Sequence, residues 1–281
     1  MRNVARAASL VVACSLLPSC EVIGDVLGSG MFCLDDLLDL AERTRDDTDD
    51  EILADLMKTY KDDIDGLPLF DCKAKKDMDS FLDTLRSDTD GTDPDLPKKQ
   101  RKGKVVEVDD PEEVPDALEE IVDEGPGDGA DVAVLIDTTG SMWDDYDAIN
   151  AELDRILDTV KEKNGRVSIA WYGDNQSCDT PWYGINPSGL VRGGSPEITD
   201  FADAMLSNGL VGGCNIPESM YDGIAETALG LDWTSADRTI VVITDAGALS
   251  GNRTNHSQGD VAEILDERKI ALDLILTAVT Y

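Results

Sequence analysis

Three apolar runs in the second half of the chain constrain its fold more than any other feature. They are DVAVLIDT from Asp131, RTIVVITDA from Arg238 and ALDLILTAV from Ala271. A half-solvated strand alternates apolar and polar residues, whereas these runs are nearly continuous, as expected of strands buried on both faces of a parallel sheet. A fourth run, RVSIAWYGD from Arg166, reads the same way. Between them the period changes to that of a helix. Ile149, Leu153, Ile156, Leu157 and Val160 line one face of residues 142–164, and FADAMLSNGL, PESMYDGIAETALGL and VAEILDERK are also helical. The alternation predicts a doubly wound α/β domain over residues 131–281, with a mostly parallel sheet flanked by helices. In such sheets ligands bind beyond the carboxyl ends of the strands. Two of those ends carry acids, Asp137 and Asp245.

The first half is organised differently. MRNVAR is a short basic segment, and the apolar run Ala7 to Leu17 falls far short of the ~20 residues needed to span a bilayer. Residues 1–19 therefore read as a signal peptide. Leu17-Pro18-Ser19-Cys20 resembles the lipobox of bacterial lipoproteins. The resemblance implies cleavage before Cys20 and lipidation of its thiol, with two or three acyl chains giving a stable membrane anchor. Glu21 follows, not Asp, so the expected address is the bacterial cell envelope at the outer membrane. Residues 20–33 form a tether. Residues 34–86 read as a small α-helical module with a break at Gly66-Leu67-Pro68 and an apolar stripe at Met78, Phe81, Leu82 and Leu85. Residues 87–130 read as an acidic and basic linker that closes with one short helix. Asp88, Asp90, Asp93 and Asp95 sit close together there, but the glycine is misplaced for a calcium hand and no Glu follows at the right distance.

Asp plus Glu number 59 against 24 Lys plus Arg, for a net charge of -35. That balance argues against nucleic acid as a partner. After Cys14 and Cys20 are set aside, Cys33, Cys72, Cys178 and Cys214 remain. In an oxidising compartment, disulfide pairing within each half is the simplest of the three possible arrangements. Four free thiols are the alternative. No CxxC is present, and His256 is the single histidine, so zinc is not indicated.

Asp137-Thr138-Thr139-Gly140-Ser141 resembles the DxSxS motif of von Willebrand factor A domains, with Thr at the middle position. Gly212-Gly213-Cys214-Asn215-Ile216-Pro217-Glu218 is similar to the second metal loop of the family's bacterial and hemicentin-like branch, with Asn215 where that branch often has Asp. Thr244-Asp245 matches the third. The resemblance covers residues 131–281 and implies a Rossmann-like sheet bearing a metal-ion-dependent adhesion site. Its ligand set would be Asp137, Thr139, Ser141, Asn215, Glu218 and Asp245. The ion would be Mg²⁺, or Mn²⁺ or Ca²⁺, since oxygen donors suit hard cations. The alternative is that DTTGS only caps the next helix. The chain stops soon after its last apolar run, so the sheet edge is expected to be truncated or covered by the N-terminal module.

Trp182 and Tyr183 follow the second strand and are candidates for a partner rim. A Cys178–Cys214 bridge would tie their loop to the second metal loop. The resemblance implies a lipid-anchored binding protein, not an enzyme, that takes an acidic group of a protein partner through its metal, in adhesion or envelope assembly. The alternatives are an envelope scaffold with a degenerate site and a metal-assisted hydrolase.

Overall fold

The computed structural model describes residues 32–33, 69–70, 72–87, 103–124, 127–175, 179, 181–208, 219–248 and 254–278. Two compact units divide the chain: Met1–Lys73 with Ala278–Tyr281, and Ala74–Thr277. In the first unit, strands β1 (Phe32–Cys33) and β2 (Leu69–Phe70) pair in parallel. The expected signal peptide, Cys20, the expected tether up to residue 31 and most of the expected helical module lie outside the described residues.

The larger unit is mixed α/β with a largely parallel central sheet flanked by helices. Its strands are β3 (Val105–Val108), β4 (Asp131–Asp137), β5 (Arg166–Tyr172), β6 (Tyr183–Ile185), β7 (Val191–Arg192), β8 (Arg238–Thr244) and β9 (Ala271–Thr277). They run in the order β3-β9-β8-β4-β5-β6, with β7 also paired to β5. The five strands from β3 to β5 are parallel, and β6 and β7 are antiparallel to β5. The helices are α1 (Cys72–Ser87), α2 (Val114–Glu124), α3 (Trp143–Glu162), α4 (Pro196–Asn208), α5 (Met220–Gly230) and α6 (Gln258–Arg268).

Every residue of β4 and of β9 is buried, so both faces of the sheet are covered. Val132, Val134 and Ile136 point to one face and share a core with Ile121 of α2, Ile149 of α3 and Ile198 of α4. Ala133 and Leu135, on the opposite face by the two-residue period, are also buried. On that face α5 lies against β4, β5 and β8 and meets α6. Fully burying a side chain such as Ile149 stabilises the fold by about 1.5–3 kcal/mol.

Local signals fix the helix ends. Pro196 opens α4, where a missing N–H costs nothing. Ser257 and Asp260 form a reciprocal capping box at the start of α6. That helix stops at Lys269, which adopts the left-handed conformation at φ 57.

Two features depart from the sequence reading. The sheet edge beside β9 is neither truncated nor left to the helical module. It is taken by β3, whose residues read as linker. Lys104 donates its amide to Asp273 Oδ1 at 3.0 Å and accepts from Leu274 N at 2.9 Å, so β3 is fastened as it begins. The second departure is α1, which from Ala74 onward belongs to the larger unit. Its Met78, Phe81 and Leu82 are buried there, with Phe81 edge-on to Tyr221 at 5.6 Å.

At the amino ends of the strands, Asp131 is bound by both Arg166 Nε (2.8 Å) and Nη2 (2.7 Å). The amides of Thr234 and Ser235 also donate to it, each at 2.8 Å. At the carboxyl ends the chain path reverses around β4: β5 lies on one side of it and β8 on the other. Asp137 ends β4 and Asp245 immediately follows β8, so the two acids flank this switch point.

Candidate metal centre

Asp137 is fully buried as β4 gives way to the turn. Its Oδ1 accepts from Thr139 N at 2.9 Å and Thr139 Oγ1 at 2.8 Å. Its Oδ2 accepts from Thr244 Oγ1 at 2.7 Å and Tyr172 OH at 3.2 Å. Burial pushes the Asp137 carboxyl above the usual carboxylate range, against the opposite pull of those four bonds.

Extended backbone sends alternate side chains opposite ways, and the turn uses this. Thr138 donates both its amide and its hydroxyl to Tyr172 O, each at 2.9 Å, and so ties the turn to β5. Thr139 and Ser141 remain on the site side, their hydroxyl oxygens 3.4 Å apart. Ser141 Oγ donates to Asp245 Oδ1 at 3.1 Å, and Asp245 is 1% exposed. The turn continues as a 3-10 segment, Gly140–Met142, into α3, without a side-chain cap on that helix. The hydroxyls are thus directed to the acids and not to helix capping.

Asp137, Thr139, Ser141 and Asp245 are therefore brought together. Asn215 and Glu218 lie outside the described residues, as do Cys178, Cys214 and the side chains of Cys33 and Cys72. Trp182 and Tyr183 sit at the carboxyl end of β5, where Tyr183 is in register with Tyr172 and Trp182 O accepts from Gly173 N at 2.6 Å. Their rings are 5.5 Å apart and partly exposed. The Tyr183 hydroxyl lies 3.2 Å from Thr227 Oγ1, and burial raises its pKa.

The donors present are carboxylate and hydroxyl oxygens, the chemistry a hard divalent cation prefers. The four described donors to Asp137 are all neutral, so a bound cation would compensate a buried charge that they leave in place. Among the described residues no group of three or more His, Cys, Asp or Glu side chains is arranged to hold a metal. The described part of this site has two acids and two hydroxyls. Sequence reasoning missed Tyr172, and named Thr244 only as part of the third motif, without its bond to Asp137. The signals were present: Tyr172 is opposite Asp137 once β4 and β5 pair, and Thr244 directly precedes Asp245.

No family model matches the chain, and no curated protein matches it. Among solved structures it is similar to the pilus adhesin SpaC from Lactobacillus rhamnosus GG in its open conformation. That match has 13% identity and a TM-score of 0.34, and covers 42% of this chain and 15% of that one. A second structure of SpaC gives 14% identity, a TM-score of 0.34 and coverage of 42% and 16%. The chain therefore spans about a sixth of the adhesin's length. Among the described residues, no helix is long and apolar enough to cross a membrane.

Proposed function

We propose that the larger unit is a metal-dependent binding domain of the von Willebrand factor A type, doubly wound about its sheet. In this reading it is carried on a lipid-anchored protein of the bacterial envelope. The observation that carries the proposal is the convergence of Asp137, Thr139, Ser141 and Asp245 at the switch point beside β4, linked by bonds of 2.8–3.4 Å. Helix capping alone would not draw Asp245 to Ser141 across 104 residues of sequence.

Those four residues would hold a divalent cation, with Asn215 and Glu218 contributing from the second loop. When bound, the ion supplies an electrophilic centre for an acidic group of a protein partner. The chain's own residues do the positioning. Asp137 orients the Thr139 amide and hydroxyl, Thr244 and Tyr172 hold its other oxygen, and Thr138 ties the turn to β5. Neutral hydroxyls at Thr139 and Ser141 would leave a bound cation's charge available to the partner's carboxylate.

Isothermal calorimetry with MgCl₂ and MnCl₂, on the wild type and on Asp137→Ala, tests the reading. Saturable heat in the wild type and none in the variant is expected. No heat in the wild type would leave an envelope scaffold with a degenerate site.

A further inference from the structure

Asp222 lies in the first turn of α5 and is fully buried, yet it is not among the ligands proposed above. One of its oxygens, Oδ1, accepts from His256 N at 2.8 Å and Thr254 Oγ1 at 2.9 Å, with His256 Nδ1 at 3.2 Å. The other, Oδ2, accepts from Asn255 N at 3.1 Å and from the side-chain amide of Asn175. A single carboxylate thus gathers three successive residues, Thr254 to His256, together with a residue that leaves β5.

Ser219 extends the cluster. Its Oγ accepts from Asn175 N at 3.1 Å and lies 3.5 Å from Asp174 Oδ1. Asp174 N in turn donates to Asp179 Oδ2 at 2.8 Å.

The elements joined are those that bracket the metal centre. The segment leaving β5 follows Tyr172, which donates to Asp137. Ser219 and the first turn of α5 directly follow Glu218 in sequence. Residues 254–256 lie between Asp245 and α6 in sequence. A buried acid is costly, and an apolar contact would pin a helix at lower cost. Four donors and the His256 ring nitrogen on one carboxylate instead fix the position of three chain segments at once. Metal sites depend on such outer bonds, because a ligand loop that is already ordered loses less entropy when the ion binds.

We propose that Asp222 is a positioning residue for the metal centre, locking the chain segments that adjoin the second-loop and third-loop ligands in sequence. This rests on the metal reading above. The test is Mg²⁺ calorimetry on the full chain for wild type, Asp222→Asn and Asp131→Ala. Asp131→Ala is a control for lost stability at the far end of the sheet. Loss of such an outer bond typically weakens metal binding by about 10–100-fold. Asp222→Asn is expected to bind Mg²⁺ at least about tenfold more weakly, with Asp131→Ala within about twofold of wild type.

His256 is the single histidine, so its imidazole NMR signal is assigned without ambiguity. That signal is expected to shift with Mg²⁺ at the calorimetric midpoint in the wild type, and at the weaker midpoint in Asp222→Asn. If Asp222→Asn fails to fold, Asn175→Ala and Thr254→Val each remove one bond and should weaken binding severalfold. Wild-type affinity in Asp222→Asn, or in both milder variants, overturns the role of Asp222 and leaves the metal reading intact. Absence of Mg²⁺ binding in the wild type overturns both.

Discussion

Replacing Asp131 with alanine probes what secures the amino ends of β4 and β5. The Asp131 carboxylate is 1% exposed and takes two bonds from Arg166 and two from backbone amides. Breaking a buried charged pair costs about 3–5 kcal/mol. Arg166 keeps 28% of its side chain in water and rehydrates in part, which puts the expected loss near the lower end, about 3 kcal/mol. For a unit spanning Ala74–Thr277 this corresponds to a fall of roughly 6–12 °C in Tm.

The pH dependence has a definite sign. Burial pushes the Asp131 carboxyl up, but the bonds from Arg166, Ser235 and Thr234 outweigh it and hold the group below the usual carboxylate range. Its contribution is therefore complete above the unfolded value of about 3.9 and is lost as pH falls through the lower native value. Urea denaturation at pH 7 and at steps down to pH 3 should show the gap between wild type and variant narrowing once the pH drops below about 4. A gap under about 1 kcal/mol at pH 7, or one that does not shrink in acid, would refute the reasoning. Mg²⁺ affinity should be unchanged, because Asp137 is about 20 Å away along the strand.

Ser141→Ala should abolish or strongly weaken Mg²⁺ heat in calorimetry while costing the metal-free protein only about 1 kcal/mol, its bond to Asp245. Tyr172→Phe removes one of four donors to Asp137 and should lower stability by about 1 kcal/mol in urea titration. A β-carbon at residue 184 would lie 2.7 Å from Trp171 Cζ2, so Gly184→Ala should cost about 1–3 kcal/mol by thermal scan. Ser257→Ala breaks the capping box of α6 and should cost about 1 kcal/mol in the same assay.

The parallel core was legible because its strands are buried on both faces and so are nearly free of polar residues. β4, β8 and β9 all lie where the apolar runs fall. β3 was not legible. Its four residues, VVEV, follow a basic run and are only partly buried for the first three positions, so no long apolar signal marks them. Its place is decided by the open edge of β9, which is a tertiary fact. The α1 stripe was visible as a stripe, but periodicity does not say which core receives it.

In the site, residues close in sequence were the easiest to find. Asp137, Thr139 and Ser141 lie within a single turn, and Asp245 stands at a strand end. Tyr172 reaches Asp137 only through strand register. Asp222 gains its role from bonds to segments 32–47 residues away. It reads in sequence as one more acid in an acid-rich chain.

The pairing of β3 with β9 also sets an order in time. Lys104 and Asp273 are separated by 169 residues, and the bond between them fastens an early strand to a late one. Whether the chain is emerging in synthesis or in export, β3 appears long before its partner and waits through the emergence of every strand between them. The sheet thus closes only when nearly the whole unit has emerged. A partly emerged chain carries the unmatched edge of β3, so folding should be governed by late, long-range closure and not by growth from the amino end.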